Sequence, residues 1–310
     1  MPKMKNVLAF LRDPAARLTI LSSRGWLNWM GDEAYVKRAY RIRMGKALCL
    51  EEPRTFSEKL QWLKLHDRNP LYSRLVDKYE VRQYIAQQLG EDCLIPLVGG
   101  PWASFGEIDF AALPEQFVLK CTHDSGGMVI CRDKSRLNMD AARKKIDRSM
   151  KRNYYRIGRE WPYKDVQPRI IAEKYMEDGA AASGLTDYKF FCFNGEPRML
   201  YISRGLEQHA TAEMAFFDLQ GQRLPFRRSD FRLMEDAPKL PENFAEMTDM
   251  ARSLAGKVGS PFVRIDLYSI RGRSYFSEVT FYPCGGMIPL TPAEWDETLG
   301  QWLRLPEKKG

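Results

Sequence analysis

The stretch that most limits the fold of this chain is "FVRIDLYSIRGRSYFSEVTFYP", residues 262–283. Val263, Ile265 and Leu267 alternate with Arg264 and Asp266. A period of two puts the charged pair on one face of a strand and the apolar residues on the other. In the second limb Glu278 and Thr280 share a face. With Arg271-Gly272-Arg273 as a three-residue loop, Asp266 falls opposite Glu278 and Arg264 opposite Thr280. Two opposed carboxylates repel unless positive charge lies between them. A divalent cation with oxygen ligands meets that need. So does a solvent-facing surface on which Arg264 bridges the acids, and the residues alone leave both readings open.

A second hairpin is expected upstream. Asp187 to Phe193 reads as a strand, Asn194-Gly195 as a two-residue turn, and Arg198 to Arg204 as the return. Asp187 and Lys189 share a face, and a two-residue turn puts Arg204 on the same side. Cations grouped in this way can hold a multiply charged anion, although they are also common on solvated strands. The stretch "KCTHDSGGMVICRDK", residues 120–134, predicts two strands, Phe117 to Thr122 and Met128 to Cys131, around a glycine-bearing loop. That loop is either an ordinary turn or a phosphate cradle, and His123 either bonds a phosphate or caps the turn.

Helices are expected around these strands. Thr55-Phe56-Ser57-Glu58 is a capping box opening a helix through Trp62 and Leu65. Further helices are Asp77 to Leu89, Asp140 to Arg152, and the 3-4-3-4 series Phe244, Met247, Ala251, Leu254, Val258. Thr291-Pro292-Ala293-Glu294 is expected to cap a last helix carrying Trp295, Leu299 and Trp302. Residues 1–50 read as helices, with a basic, partly amphipathic stretch from Leu8 to Leu21. Strands are expected at Arg169 to Met176 and Ala212 to Leu219. No βαβ repeat appears, so the class is antiparallel α+β rather than a doubly wound sheet.

Composition narrows the chemistry. The net charge of +8 is concentrated in residues 1–50 and 136–164, which suits phosphates, acidic sugars or anionic lipid. No nucleic-acid-binding signature accompanies it, so nucleic acid is not expected as a partner. Six scattered cysteines without a Cys-x-x-Cys, and only three histidines, indicate neither a disulfide framework nor a zinc site. No apolar run of membrane-spanning length and no signal peptide is present, so a cytoplasmic protein is expected. Its basic N-terminus could rest on the inner face of the cytoplasmic membrane.

The order of motifs resembles the ATP-grasp superfamily. "RID" and "EVTFYP" resemble its Arg-x-Asp and Glu-x-Asn-x-x-Pro strands; "VDKYEVR" resembles its Asp-Lys helix start. "FVLKCTHDSGGM" is similar to its strand lysine and glycine-rich loop, and "IIAEKYME" to its interlobe hinge. More narrowly, "TFSEKLQWLK", "DRNPLY" and "DYKFFCFNGEPR" resemble the TupA-like (teichuronopeptide-biosynthesis) proteins of bacterial surface-polysaccharide pathways, from about residue 50 to the C-terminus.

The resemblance implies two α+β lobes gripping ATP. A helical region 1–75 would precede a nucleotide lobe 76–176 and a metal and catalytic lobe 177–310. It implies that Lys78 and Lys120 contact phosphates, with His123, Ser125, Gly126 and Gly127 in the lid. Glu173 and the backbone from Lys174 to Met176 would recognise adenine, and Asp187 would hold ribose. Asp266 and Glu278 would bind Mg²⁺, with Thr280 a weaker contact where the superfamily has Asn. Arg264, Lys189 and Arg204 would stabilise charge on the transferred phosphoryl group. The implied reaction activates a carboxylate as an acyl phosphate and captures it with an amine. The expected substrates are an acidic sugar or glycan precursor and an amino acid or related amine. A kinase acting on a sugar hydroxyl and a non-catalytic glycan-binding subunit are the alternatives. Asp124 departs from the narrower pattern, being an acid beside the expected γ-phosphate. Cys284 in "PCGGM" reads as a small packing residue.

Overall fold

A computed structural model describes residues 10, 12–178, 185–205, 212–236 and 238–307. Lys3, Lys5 and the start of the helix expected from Leu8 lie outside the described residues. The smaller of two main sheets has the order β1 (Leu97–Trp102), β4 (Ile170–Lys174), β2 (Phe117–Cys121), β3 (Met128–Cys131), all antiparallel. The larger runs β11 (Arg273–Thr280), β10 (Phe262–Ile270), β5 (Asp187–Phe193), β6 (Glu196–Arg204), β7 (Glu213–Asp218), β9 (Arg232–Leu233). Only its β7–β9 pair is parallel among the named strand pairs. Two short strands, β8 (Arg227–Arg228) and β12 (Leu290–Thr291), form a ribbon of their own. The class is α+β, as expected.

The helices are α1 (Pro14–Ser23), α2 (Asp32–Met44), α3 (Phe56–His66), α4 (Leu71–Val76), α5 (Glu80–Leu89), α6 (Met139–Met150), α7 (Tyr155–Gly158), α8 (Phe244–Val258) and α9 (Glu294–Trp302). The capping box of α3 is formed on both sides: Thr55 Oγ1 accepts from the Glu58 N–H, and Glu58 Oε2 accepts from the Thr55 N–H. The expected cap of α9 is not. Thr291 pairs with Arg227 in the β8–β12 ribbon, and Ala293 stands at the N-cap of α9 with no side-chain cap. Its Asp296 turns instead to the start of α3, accepting from the Ser57 N–H and hydroxyl at 2.8 and 2.5 Å. A carboxylate placed there also faces the positive end of the α3 dipole.

The alternation in "FVRIDL" separates the two faces of the large sheet. On one face Phe190, Cys192, Val263 and Ile265 are buried, and α8 covers that side with Met247, Ala251, Leu254 and Val258. On the other, Phe191, Phe193 and Phe262 pack around Phe56 of α3, with ring centroids 4.9–6.3 Å apart. Further along, the same face becomes ionic, presenting Asp187, Lys189, Arg264 and Asp266. Phe56, Leu60, Leu63 and Leu75 belong to the same apolar cluster as β5, β6 and β10.

Both hairpins depart from the predicted register. Ile270 pairs with Arg273, so Arg271 and Gly272 (φ 51° and 73°) make a two-residue turn, not the expected three-residue loop. A bulge at Ser277 supplies the extra residue, and Asp266 still faces Glu278 while Arg264 faces Thr280. In β5–β6 the turn is the expected one, with Asn194 and Gly195 at φ 52° and 88°. A bulge follows it, between the pairs Cys192–Pro197 and Phe191–Met199. It sets Lys189 opposite Tyr201 and Asp187 opposite Ser203, and puts Arg204 on the other face. Arg204 pairs there with Glu213 at 2.8 Å, which corrects its expected place beside Lys189.

Candidate active site

The ionic end of the large sheet is a closed quartet. Arg264 Nε and Nη2 donate to Asp266 Oδ1 and Oδ2 at 2.6 and 2.7 Å, a two-pronged pairing. Lys189 Nζ donates to Asp266 Oδ2 at 2.7 Å and to Asp187 Oδ1 at 2.9 Å. Burial works against each charge. At Asp187 burial wins and raises the carboxyl; at the other three the mutual attraction outweighs it, holding Asp266 below the ordinary carboxylate value and Lys189 and Arg264 well above their ordinary values. Arg264 also donates to the Thr280 hydroxyl at 2.9 Å and to the Tyr201 hydroxyl at 3.3 Å. Thr280 is therefore a partner of Arg264 here. Asp187, expected at a ribose, is bound to Lys189.

Two further pairs stand at the rim. Lys78 leads into α5, where Asp77 accepts from the Tyr79 and Glu80 N–H groups and from Arg169. The Lys78 backbone N–H donates to Thr122, tying the helix start to the end of β2. Its ammonium reaches the Asp124 carbonyl at 2.7 Å and Glu278 at 3.3 Å. Burial opposes the charge, but Glu278 and Asp124 raise the Lys78 pKa above the ordinary value. Lys120, on β2, meets Glu173 of β4 at 2.5 Å; Arg82 holds the second oxygen of Glu173 at 3.3 Å. The backbone N–H of Lys174 donates to Pro96 O at 2.9 Å, so that group of the expected adenine contact is engaged. Lys174 is exposed and Met176 half-buried just beyond β4.

The loop between β2 and β3 is anchored at its base. His123 is buried, with Nε2 3.1 Å from the Ser149 carbonyl near the end of α6. Asp124 is also buried, and its Oδ2 accepts from the Ser149 hydroxyl. The acid expected near a γ-phosphate thus points into the body of the protein, and His123 takes a packing place. A Cβ on Gly127 would collide with Ser149 Oγ and Asp124 Oδ1, so this glycine makes room for the anchor. Ser125 and Gly126 alone are exposed, Gly126 with φ 92° and open space around it.

Sequence reasoning missed several residues. Cys284, Gly285 and Gly286 have φ of 55°, 67° and 67°, and this loop is clamped by α3. Gln61 Nε2 donates to Gly285 O and Gly286 O, and Lys64 Nζ to Gly285 O at 2.7 Å. Burial pushes the Glu160 carboxyl up to about 7 and the Lys64 ammonium down to about 8. Tyr201 could have been found, since it follows from the β6 register once Pro197, which cannot donate to the ladder, marks the bulge. Cys284, expected to pack, is exposed, with Arg228 Nη2 3.0 Å from its sulfur. Trp161 and Tyr163 pack on Tyr72 and Tyr154.

Among the described residues, no group of three or more His, Cys, Asp or Glu converges as a closed metal cage. Glu278, 26% exposed, fits the open mode in which Mg²⁺ takes one or two carboxylates and completes its shell with water and phosphate oxygens; the opposed Asp266 has both oxygens bonded to Arg264 and Lys189 and would add a ligand only where one of those contacts opens.

A family model described as TupA-like ATPgrasp matches residues 58–304. No curated protein sequence matches. Among solved structures, the chain is 17% identical to a D-alanine–D-alanine ligase from Bacillus anthracis complexed with ATP, with TM-score 0.37, covering 67% of this chain and 55% of that one. The Helicobacter pylori D-alanine–D-alanine ligase gives 12%, 0.45, 83% and 68%. The ATP-grasp ligase PsnB, complexed with a precursor variant, Mg and ADP, gives 10%, 0.41, 83% and 64%. The chain thus spans between 55% and 68% of the length of these proteins. The family match runs from α3 to just past α9 and takes in both main sheets and every site residue named above: the chain belongs to the TupA-like ATP-grasp family.

Proposed function

We propose that the protein is an ATP- and Mg²⁺-dependent carboxylate–amine ligase. Its acceptor is a uronic-acid-type carboxylate on an acidic sugar or glycan precursor, and its donor an amino acid or related amine. The product would serve bacterial surface-polysaccharide synthesis. One observation carries the reading: Lys78, beside the lid loop, and Glu278, on the large sheet, meet at 3.3 Å over the Asp266–Arg264–Lys189 floor. This supports the reading, because a cation expected at the nucleotide and a carboxylate expected at the metal lie together. The basic surface suits an acidic substrate.

The chemistry follows from the charges. Lys78 and Lys120 would exchange Glu278 and Glu173 for phosphate oxygens, staying charged throughout. Asp266 and Glu278 would hold Mg²⁺, which supplies charge neutralisation and orientation of the triphosphate. Arg264 and Lys189 are fixed before substrate arrives, so they can stabilise developing negative charge with little reorganisation. A substrate carboxylate oxygen attacks the γ-phosphorus and ADP leaves; an amine then attacks the acyl carbon, and inorganic phosphate leaves as the amine loses a proton. A carboxylate is inert to amines at neutral pH, so the phosphoryl group serves as activator. Ser125 and Gly126 at the exposed lid tip would close over the phosphates and keep water from the acyl phosphate.

The test is ADP release across panels of uronic acids and amines. The reading expects release that requires both, and a product lighter than the two reactants by one water. A stable phosphorylated sugar without inorganic phosphate would overturn the ligase in favour of a kinase.

A further inference from the structure

The largest apolar side chains left in solvent lie far from the quartet in sequence and close to one another. Trp26 is 60% exposed and Trp29 78% exposed, in the connection between α1 and α2. Two indoles left in water within one short loop are unusual for a protein surface.

The loop is held in this state by its own structure. Helix α1 stops at Gly25 (φ 77°), whose left-handed cap turns the chain outward. The guanidinium of Arg159 is buried between the rings of Tyr35 and Tyr155 and donates to Leu27 O at 2.7 Å and Met30 O at 3.4 Å. Leu27 and Met30 pack on the small core of Leu18, Tyr35 and Tyr40. The smaller apolar side chains face in and the tryptophans face out.

Around them the charge is positive. Residues 12–46 hold eight Arg or Lys against three Asp or Glu, a net of +5 within a chain total of +8. Arg24 lies over the Trp26 ring at 5.5 Å. Arg156, from the second basic block, lies within 3.2 Å of where a Cβ on Gly25 would stand. The second block is bolted to the first, since Tyr35 Oη donates to Ile157 O at 2.8 Å and α1 packs on α7.

We propose that this loop docks the protein on an anionic phospholipid surface, with Trp26 and Trp29 seated at headgroup depth and the surrounding cations facing lipid phosphates. Indole suits that depth because its ring is apolar and its N–H can stay hydrated. Cations flanking an interfacial anchor add attraction that salt screens. No described helix is long and apolar enough to cross a membrane, so the contact is peripheral. This inference does not rest on the ligase reading.

Flotation with vesicles tests it. The full chain is expected to float with vesicles of equal parts phosphatidylglycerol and phosphatidylcholine at low salt. It should stay behind with pure phosphatidylcholine, or when sodium chloride is raised well above physiological strength. Trp26→Ala/Trp29→Ala should lower partition onto the anionic vesicles by about tenfold or more, with thermal unfolding unchanged. Arg24→Glu should weaken binding and flatten its salt dependence. Absence of wild-type binding, or equal binding by the double Trp variant, would overturn the proposal. So would a wild-type dimer in sedimentation velocity that the double variant turns into a monomer, because the indoles would then cover one another.

Discussion

Asp266 and Glu278 face one another across a single rung of the β10–β11 ladder, yet they sit in different surroundings. Asp266 has 0% of its side chain exposed and is enclosed by Arg264 and Lys189, at 9% and 10%. Glu278 is 26% exposed and meets Lys78, at 19%. Both are carboxylate–cation contacts, but depth changes what they can do. Taking charges out of water is costly, so a buried set persists only with every partner in place. Rim pairs in higher dielectric are worth little and can be traded for other charges at small cost. The floor is thus preorganised and the rim exchangeable, a division suited to a site that must admit a polyanion without rebuilding itself.

Removing one floor charge should have the largest effect. Asp266→Ala leaves the buried Arg264 without its two-pronged partner and Lys189 bonded to Asp187, and should destabilise the fold by about 3–5 kcal/mol in urea denaturation. A loss below about 1 kcal/mol would mean that water or a shifted side chain screens the floor, and the contrast with the rim would fail. Lys120→Ala should show the opposite balance. Glu173 is as buried as Arg264, at 9%, but it keeps Arg82, so stability should fall by about 1–2 kcal/mol, less than Asp266→Ala costs. The Kd for ATP, measured by calorimetry, should rise at least about tenfold, or ~1.4 kcal/mol. Equal losses of stability in the two variants would erase the distinction.

Much of the floor was legible in the sequence because strand alternation is a local signal. "FVRIDL" separates Arg264 and Asp266 from the apolar face whatever the rest of the chain does. A three-residue loop opposes Asp266 to Glu278, and with the two-residue turn that forms the opposition survives only because the bulge at Ser277 replaces the residue that the shorter turn removes. Where no such compensation occurs, parity fails: the bulge after Pro197 moves Arg204 to the far face. One extra residue inverts every side chain beyond it, and hydrophobic patterning does not expose it when both faces are buried. The anchoring of His123 and Asp124 by Ser149, some 25 residues away, and the clamp of Lys64 on Gly285 are long-range contacts. A local reading saw a glycine loop and assigned its glycines to phosphate; at Gly127 the cause is room for a side chain on another helix.

Arg204 provides the smallest expected effect and the sharpest check on the register. A site arginine on the floor would, on truncation, remove charge stabilisation of the transferred phosphoryl group, a loss of orders of magnitude in turnover. The β5–β6 bulge instead leaves Arg204 39% exposed beside Glu213, on the face away from Lys189. Solvent screening discounts such a pair, so Arg204→Ala should change stability by no more than about 0.5 kcal/mol. Its kcat and KM for ATP-dependent turnover should stay within about twofold of wild type, because no charge in the cleft is altered. Tyr201→Phe is the matched control, since Tyr201 occupies the rung that the unbulged strand would have given to another residue and accepts from Arg264 at 3.3 Å. A larger loss of kcat from Arg204→Ala than from Tyr201→Phe would place Arg204 in the cleft and refute the bulged register.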